Sequence, residues 1–275
     1  MAFLVLLPGC AGRPPHGPPS SLTLASFNVR ILSTASRTDA ELARIADVVQ
    51  PYDLLAIQEV RDEPVLRRLV GLLGQRGLDY AYVLSPPVGR GVKERYAFLY
   101  RPDRVRPLTP GALYPDSDET FIREPFVTTF SAGSFDFTLV TIHVLFGSNL
   151  AQRRAELAAL AGVYQAVQAQ DPHEQDVILL GDFNAPPADP GCAPLRTLPT
   201  MTCVIAPPAT TTITDTSLYD NFWFQRQYVR EYAGEAGVDR FDETRFANDD
   251  SAAELAVSDH RPIWARFRLT GPDDD

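Results

Sequence analysis

Residues 22–28 alternate apolar and polar side chains, the period of a half-buried strand, and the period then lengthens to that of a helix. Thr38 with Glu41 three residues on forms a capping box. Behind it Leu42, Ile45, Ala46 and Val49 share one helical face, so the spacing predicts a helix to about Gln50, stopped by Pro51. The continuous apolar run at 54–57 has the pattern of a strand covered on both faces. Asp62 and Pro64 cap and open a second helix through Leu73, with Gly74 and Gly77 as its stop. Strand patterns follow at 80–84, 96–100, 126–130 and 135–144. Asn149 opens the longest helix, with Leu150, Leu157, Leu160, Ala161, Tyr164 and Val167 at helical spacing. Runs at 177–180, 222–224 and 262–267 complete the strands. Alternating strands and helices predict a layered α/β domain. The Pro/Thr-rich stretch 185–216 and the acidic stretch 234–254 read as linkers, and there is no internal repeat.

The chain of 275 residues is 45% hydrophobic and 22% charged, which excludes disordered, fibrous and disulfide-scaffold classes. No apolar run reaches eighteen residues, so no segment reads as a membrane-spanning helix. The net charge of −10, part of it from Asp273, Asp274 and Asp275, means that a polyanionic substrate needs a metal ion or a local arginine cluster. Residues 1–7 are apolar and are followed by Pro8-Gly9-Cys10-Ala11 and a Pro/Gly stretch, which looks like the end of a bacterial lipoprotein signal without its basic leader. The expectation is an exported, secreted or cell-envelope protein tethered to a membrane through a lipid on Cys10. The expected division is a leader and linker at 1–21, one domain at 22–269 and an acidic tail at 270–275. Cys192 and Cys203 would pair in an exported protein and stay reduced in the cytosol, and with no CxxC spacing there is no closed zinc site.

Candidate chemistry collects at the strand ends. The predicted strands finish at Asn28, at Gln58-Glu59, at His143 and at Gly181-Asp182-Phe183-Asn184, and the last begins after Ser258-Asp259-His260. Strand ends and their loops share one rim in layered α/β folds, so these groups are expected to converge. An Asp after a strand is commonly a turn or cap residue, and a single His is commonly structural; five strands ending in carboxylate, amide or imidazole point to a site. Glu59, Asp182, Asp259, Asn28 and Asn184 are hard oxygen donors suited to Mg²⁺, with Mn²⁺ or Ca²⁺ as alternatives. His143 and His260 beside carboxylates suit acid–base work near neutral pH.

Ser26-Phe27-Asn28-Val29-Arg30, Ile57-Gln58-Glu59-Val60-Arg61-Asp62, Lys93-Glu94-Arg95-Tyr96, Arg123-Glu124-Pro125, Thr141-Ile142-His143, Gly181-Asp182-Phe183-Asn184-Ala185, Leu218-Tyr219-Asp220 and Ser258-Asp259-His260-Arg261-Pro262 follow one another in order and spacing. In this the chain resembles the endonuclease/exonuclease/phosphatase superfamily, and within it most closely the deoxyribonuclease I branch, over about 22–269. The resemblance implies a four-layer α/β sandwich, two packed mixed sheets flanked by helices. It implies that Glu59 and Asn28 hold the divalent ion, with a second metal near Asp182, Asn184 and Asp259, which position water and stabilise the pentavalent phosphate. It implies His260, oriented by Asp220, as the base, and His143, paired with Glu94, as the acid; the residues alone do not decide which histidine does which. Arg30, Arg61, Arg95 and Arg123 lie in the rim motifs, and Arg30, Arg61 and Arg123, with Asn184, are the candidate phosphate contacts, Arg61 matching a minor-groove contact of the branch. The chain departs from the branch at Val92, where a tyrosine is usual, and at Ser217, where a disulfide cysteine is usual. The smaller disulfide loop before Arg123 is absent as well.

These readings make the expected function a metal-dependent, largely sequence-independent DNA endonuclease with no obligate protein partner. The alternative keeps the chemistry on a lipid or small phosphoester, of sphingomyelinase or phosphoinositide phosphatase type. A non-catalytic envelope binding protein is disfavoured because every acid–base and metal position is filled.

Overall fold

The computed structural model describes residues 20–172 and 174–270. Cys10, the leader and nearly all of the acidic tail lie outside the described residues. Six strands form one sheet: β1 (Ser21–Leu32), β2 (Leu54–Val60), β3 (Ala81–Leu84), β4 (Arg95–Tyr100), β12 (Tyr232–Val238) and β13 (Ile263–Arg268), in the order β12-β13-β1-β2-β4-β3. The second sheet holds β5 (Arg106–Pro107), β6 (Ala112–Leu113), β7 (Phe126–Ala132), β8 (Phe135–His143), β9 (Val177–Asp182), β10 (Met201–Cys203) and β11 (Asp220–Gln225), in the order β10-β11-β9-β8-β7-β5, with β6 beside β7.

Alternation within each strand divides the apolar side chains among three cores. Leu24, Leu54, Phe98, Phe130, Leu139, Leu180, Phe222 and Phe267 meet between the two sheets. Phe27, Leu55 and Ile57 turn the other way, onto Leu42, Ile45, Leu66 and Leu69 of α1 (Asp39–Val49) and α2 (Glu63–Gln75). Val140, Ile142 and Leu179 face Leu157, Leu160 and Tyr164 of α3 (Leu150–Gln168). Three cores between four layers make the α/β sandwich that the resemblance implied. The inner strands bury both faces, which is why they read as continuous apolar runs. The caps stand where the side chains place them: Thr38 and Glu41 close a capping box, and Asp62 and Asn149 accept from Val65 N and Gln152 N.

The two supposed linkers are built structure. Stretch 234–254 contains most of β12, the short helix α5 (Phe241–Phe246) and most of α6 (Asp250–Ala256), because pairing with β13 and burial of Phe241 and Ala253 override its acidic composition. Stretch 185–216 contains a 3-10 turn (Pro190–Cys192), α4 (Ala193–Arg196) and β10, whose backbone pairs with β11. Cys192 and Cys203 are free, with no disulfide between them, and burial pushes the Cys192 thiol up to about 11.

Candidate active site

Register across the second sheet assembles half of the site. His143 on β8 is paired with Asp182 on β9, and Asp182 with Asp220 on β11, so three side chains from distant sequence stand in one row. Gly181 permits this close approach: its φ is +135°, and a Cβ there would sit 2.2 Å from Ile142 O. The other sheet supplies the facing half through irregular backbone. The β1–β2 register shifts after Asn28 and the β2–β4 register after Ile57, with Glu59 at φ +62° and Arg30 and Ile31 also left-handed. Non-glycine residues held there cost free energy, and such strain gathers where function requires a particular side-chain direction. Here the bulges turn Asn28 and Glu59 toward the other sheet, and Asn28 Nδ2 donates to Glu59 Oε1 at 3.2 Å and to Asp182 Oδ2 at 3.1 Å.

Each histidine is held by its own carboxylate. His143 Nδ1 lies 2.6 Å from Glu94 Oε1, and His260 Nδ1 lies 2.8 Å from Asp220 Oδ2. Both Nε2 atoms then point to one oxygen, Asp182 Oδ2, at 3.6 Å from His143 and 3.7 Å from His260. Burial by itself would lower both imidazoles. The surrounding carboxylates outweigh it: Glu94 and Asp182 raise His143, while Asp220, Asp182 and Asp259 push His260 up to about 10. Burial would raise Glu59, yet His143, the Ile31 N–H, Asn28 and Arg61 together hold its carboxyl below the usual range.

Further hydrogen bonds fix the frame. Tyr96 hydroxyl accepts from His143 N at 3.1 Å, and Gln58 Nε2 bridges the sheets to Ser26 Oγ and Thr141 Oγ1. Ser258 Oγ donates to Asn28 O at 2.6 Å and accepts from His260 N at 3.1 Å. Asn184 N donates to Asp182 Oδ1 while its side chain donates to Val144 O.

The groups open into a cleft of about 510 Å³ lined by Asn28, Glu59, Arg123, His143, Asp182, Asn184, Asp259 and His260. Most of the expected residues are therefore in one place. Glu94 and Asp220 stand just behind the imidazoles, buried. Arg61 borders the pit, 3.2 Å from Glu59 Oε2 and 3.8 Å from Glu94 Oε2, and Arg123 Nε lies 3.0 Å from Glu94 Oε1. Two arginines are directed elsewhere. Arg30 is outside the cleft lining, its guanidinium 2.7 Å from Glu254, and Arg95 donates to Ser85 O. The sequence reading missed Thr212, Thr214, Thr216, Ser217, Tyr219 and Phe146, which also line the cleft. The hydroxyl run immediately before Leu218-Tyr219-Asp220 was the available signal, obscured by its reading as a linker.

The donor set fits a hard divalent cation. Glu59 and Asp182 converge on the Asn28 NH₂, a partial positive charge at the point where a cation would be attracted, and no thiol is among the lining groups. Asn28 Oδ1 accepts from Arg30 N at 3.0 Å, so Asn28 serves as a ligand through that oxygen only once its amide turns over. Oxygens of Asp182 and Asp220 and a His260 nitrogen lie within 4.8 Å of one another, a second concentration of donors.

Deoxyribonuclease-1 of Bos taurus is 34% identical over 262 residues, covering 88% of this chain and 91% of its own. A deoxyribonuclease of Thioalkalivibrio sp. (strain K90mix) is 31% identical over 279 residues, covering 96% of this chain and 74% of its own. The crystal structure of truncated Caenorhabditis elegans TDP2 superposes with a TM-score of 0.64 over 90% of this chain and 98% of that one; at 18% identity, this likeness concerns the fold. The family model described as Endonuclease/Exonuclease/phosphatase matches residues 25–260. With strand register, paired imidazoles and nearly the whole chain in agreement, the protein belongs to the endonuclease/exonuclease/phosphatase family.

Proposed function

We propose that the protein is a divalent-metal-dependent endonuclease that hydrolyses the phosphodiester bonds of DNA with little regard to base sequence. Its family and its deoxyribonuclease-named relatives make it a phosphodiester-hydrolysing enzyme. The observation that carries the mechanism is the convergence of two imidazoles, each backed by a carboxylate, on one oxygen of Asp182. In-line displacement at phosphorus needs a base on one side and an acid on the other, and the two His–carboxylate pairs provide them.

His260, with Asp220 at Nδ1, directs Nε2 to the attacking water and takes its proton in the neutral form, which a cation held at Glu59 and Asp182 would favour by offsetting the carboxylates that raise the imidazole. His143, with Glu94 at Nδ1, delivers a proton from Nε2 to the leaving oxygen. Asp182 and Asn184 orient water and the phosphoryl oxygens between them, with Asp259 beside His260. Glu59, Asn28, Asp182 and Asp259 would hold Mg²⁺, or Mn²⁺ or Ca²⁺, which when bound supplies charge stabilisation to the non-bridging oxygens. Arg61 and Arg123 add positive charge at the pit's edge and position the flanking phosphates.

The test is nicking of a supercoiled plasmid in Mg²⁺ and in EDTA, run beside sphingomyelin and phosphoinositide hydrolysis. The expected result is Mg²⁺-dependent nicking, reduced about 10²–10⁴-fold in H260A and in H143A. Nicking that both variants retain at the wild-type rate refutes the mechanism. Hydrolysis confined to the lipid substrates refutes the DNA assignment. The reading also includes export and a membrane tether through Cys10, which the partitioning of the full chain and of C10A between membrane and soluble fractions tests.

A further inference from the structure

Six large apolar side chains are exposed among the described residues, and Phe146 is the one aromatic ring in that set, at 64% exposure. It stands three residues beyond His143 and lines the same cleft, with Arg123 and Asn184 also at the wall. Its loop is tightly held. Val144 N donates to Asp182 O at 2.9 Å, Asn184 Nδ2 donates to Val144 O at 2.8 Å, and Leu145 N donates to Glu156 Oε2 at 3.0 Å. Glu156 is fully buried on α3, and its other oxygen accepts from Ile122 N at 3.1 Å, one residue before Arg123. One internal carboxylate therefore fixes both the backbone beside the phenyl ring and the backbone beside the arginine. On the other side Asn149 accepts from Gln152 N at 3.1 Å. The ring is thus left in water by a backbone pinned at both ends of the loop, and its exposure does not come from slack chain.

We propose that Phe146 is a stacking platform for a base of the DNA strand being cut, next to the scissile phosphate. This rests on the DNA-endonuclease reading above and adds a substrate contact to it. A flat aromatic face beside a cation-attracting pit matches a nucleotide, whose base presents a π-face within reach of its own phosphate. Bilayer insertion asks for a contiguous apolar patch, whereas Phe146 is followed by Gly147, Ser148 and Asn149, all exposed. Tyr219 lines the cleft as well, its ring 6.5 Å from that of His260, so aromatic groups come from both the β8–α3 loop and the segment entering β11. Every base offers such a face once it leaves the stack at the site of cutting, so the contact gives affinity without sequence choice.

The test compares F146A, F146L, F146Y and F146W with wild type on two short duplexes, each with a single cleavable phosphodiester, one carrying normal bases around it and one carrying abasic sugars there. On the base-bearing duplex F146A and F146L are expected to lose about tenfold in kcat/KM, at the lower end of what base–aromatic stacking contributes, while F146Y and F146W keep it. On the abasic duplex all five proteins are expected to match. F146A equal to wild type on the base-bearing duplex, full activity in F146L, or an equal loss on the abasic duplex each overturns the platform. Equal thermal midpoints separate a lost contact from a lost fold. Wild-type protein that cuts neither duplex yet hydrolyses phosphoinositide or sphingomyelin vesicles overturns the DNA reading itself, and a defect of F146A confined to those vesicles assigns the ring to lipid.

Discussion

Arg261 follows His260 and is 1% exposed, the largest fully buried side chain among the described residues. Its guanidinium spans Asp242, with Nε to Oδ1 at 2.8 Å and Nη2 to Oδ2 at 2.5 Å, and it reaches Asp215 with Nη1. It also donates to Thr212 O at 3.1 Å and Ile213 O at 3.2 Å, in the loop whose hydroxyls line the cleft. Arg261→Met keeps the bulk and removes the charge. Asp242, also 1% exposed, is then a buried carboxylate without its partner, which costs about 3–5 kcal/mol. That is a large part of the roughly 5–15 kcal/mol by which a domain is stable. Equilibrium urea unfolding followed by tryptophan fluorescence measures it, and the KM for plasmid DNA should rise as the 211–217 loop loosens. A double variant, R261M with D242L, replaces the ion pair by two apolar side chains and is expected to be at least about 2 kcal/mol more stable than R261M alone. If R261M costs under about 1 kcal/mol, or if the second substitution adds to the damage, Arg261 is not compensating a buried charge and the reasoning fails.

Asp220→Asn and Glu94→Gln keep the shape behind each imidazole while removing the charge, so both are expected to lower kcat about 10²–10⁴-fold in plasmid nicking with little change in KM. Arg261, Thr210 and Arg240 hold the Asp215 carboxyl well below the usual range. A depressed folded-state pKa stabilises above the unfolded value near 3.9 and is lost as pH falls through the folded one, so the stability gap between wild type and D215N should be constant at pH 5–7 and close below about pH 4. Thermal melts across that range check it. Burial raises the Cys192 and Cys203 thiols, so native protein should react with a disulfide reagent at neutral pH far more slowly than protein in urea.

The order of elements was legible because core periodicity and caps are local signals. The Thr38 to Glu41 box and the Asp62-Glu63-Pro64 start are written in a few adjacent residues and stand where they were read. The site was legible for a different reason: carboxylate, amide and imidazole interrupt apolar strands at their ends, and strand register brings such ends together. Backbone irregularity was hidden. Nothing in Val29-Arg30-Ile31 marks the bulge that extends β1 to Leu32 and turns Arg30 out to Glu254, since non-glycine residues there adopt positive φ only under tertiary constraint. The β12 strand was hidden too, because Tyr232–Val238 acquires its pattern from the β13 edge it covers and carries little apolar alternation of its own. Polar composition in 185–216 likewise concealed a cleft wall, whose Thr212, Thr214 and Thr216 bury little surface.

On the proposed function, charge sets how DNA is held. Of the rim arginines, Arg61 is engaged by Glu59 and Glu94, Arg123 by Glu94 and Arg30 by Glu254, each in competition with any phosphate. Glu59, Asp182 and Asp259 line the same pit, with Asp220 behind His260, on a chain of net charge −10. Two or three guanidiniums can therefore displace counterions, which corresponds to a slope of about −1.8 to −2.7 in log K against log salt. Between 50 and 200 mM salt, affinity should fall about 10–40-fold, where an extended basic surface would lose about 10³–10⁵. Fluorescence anisotropy of a labelled duplex with H260A in Mg²⁺ measures this slope. In EDTA binding should weaken further, because the carboxylates then face the phosphate without a cation between them. A slope steeper than about −6, or affinity that EDTA leaves unchanged, would place the main DNA contact on a basic surface away from this cleft.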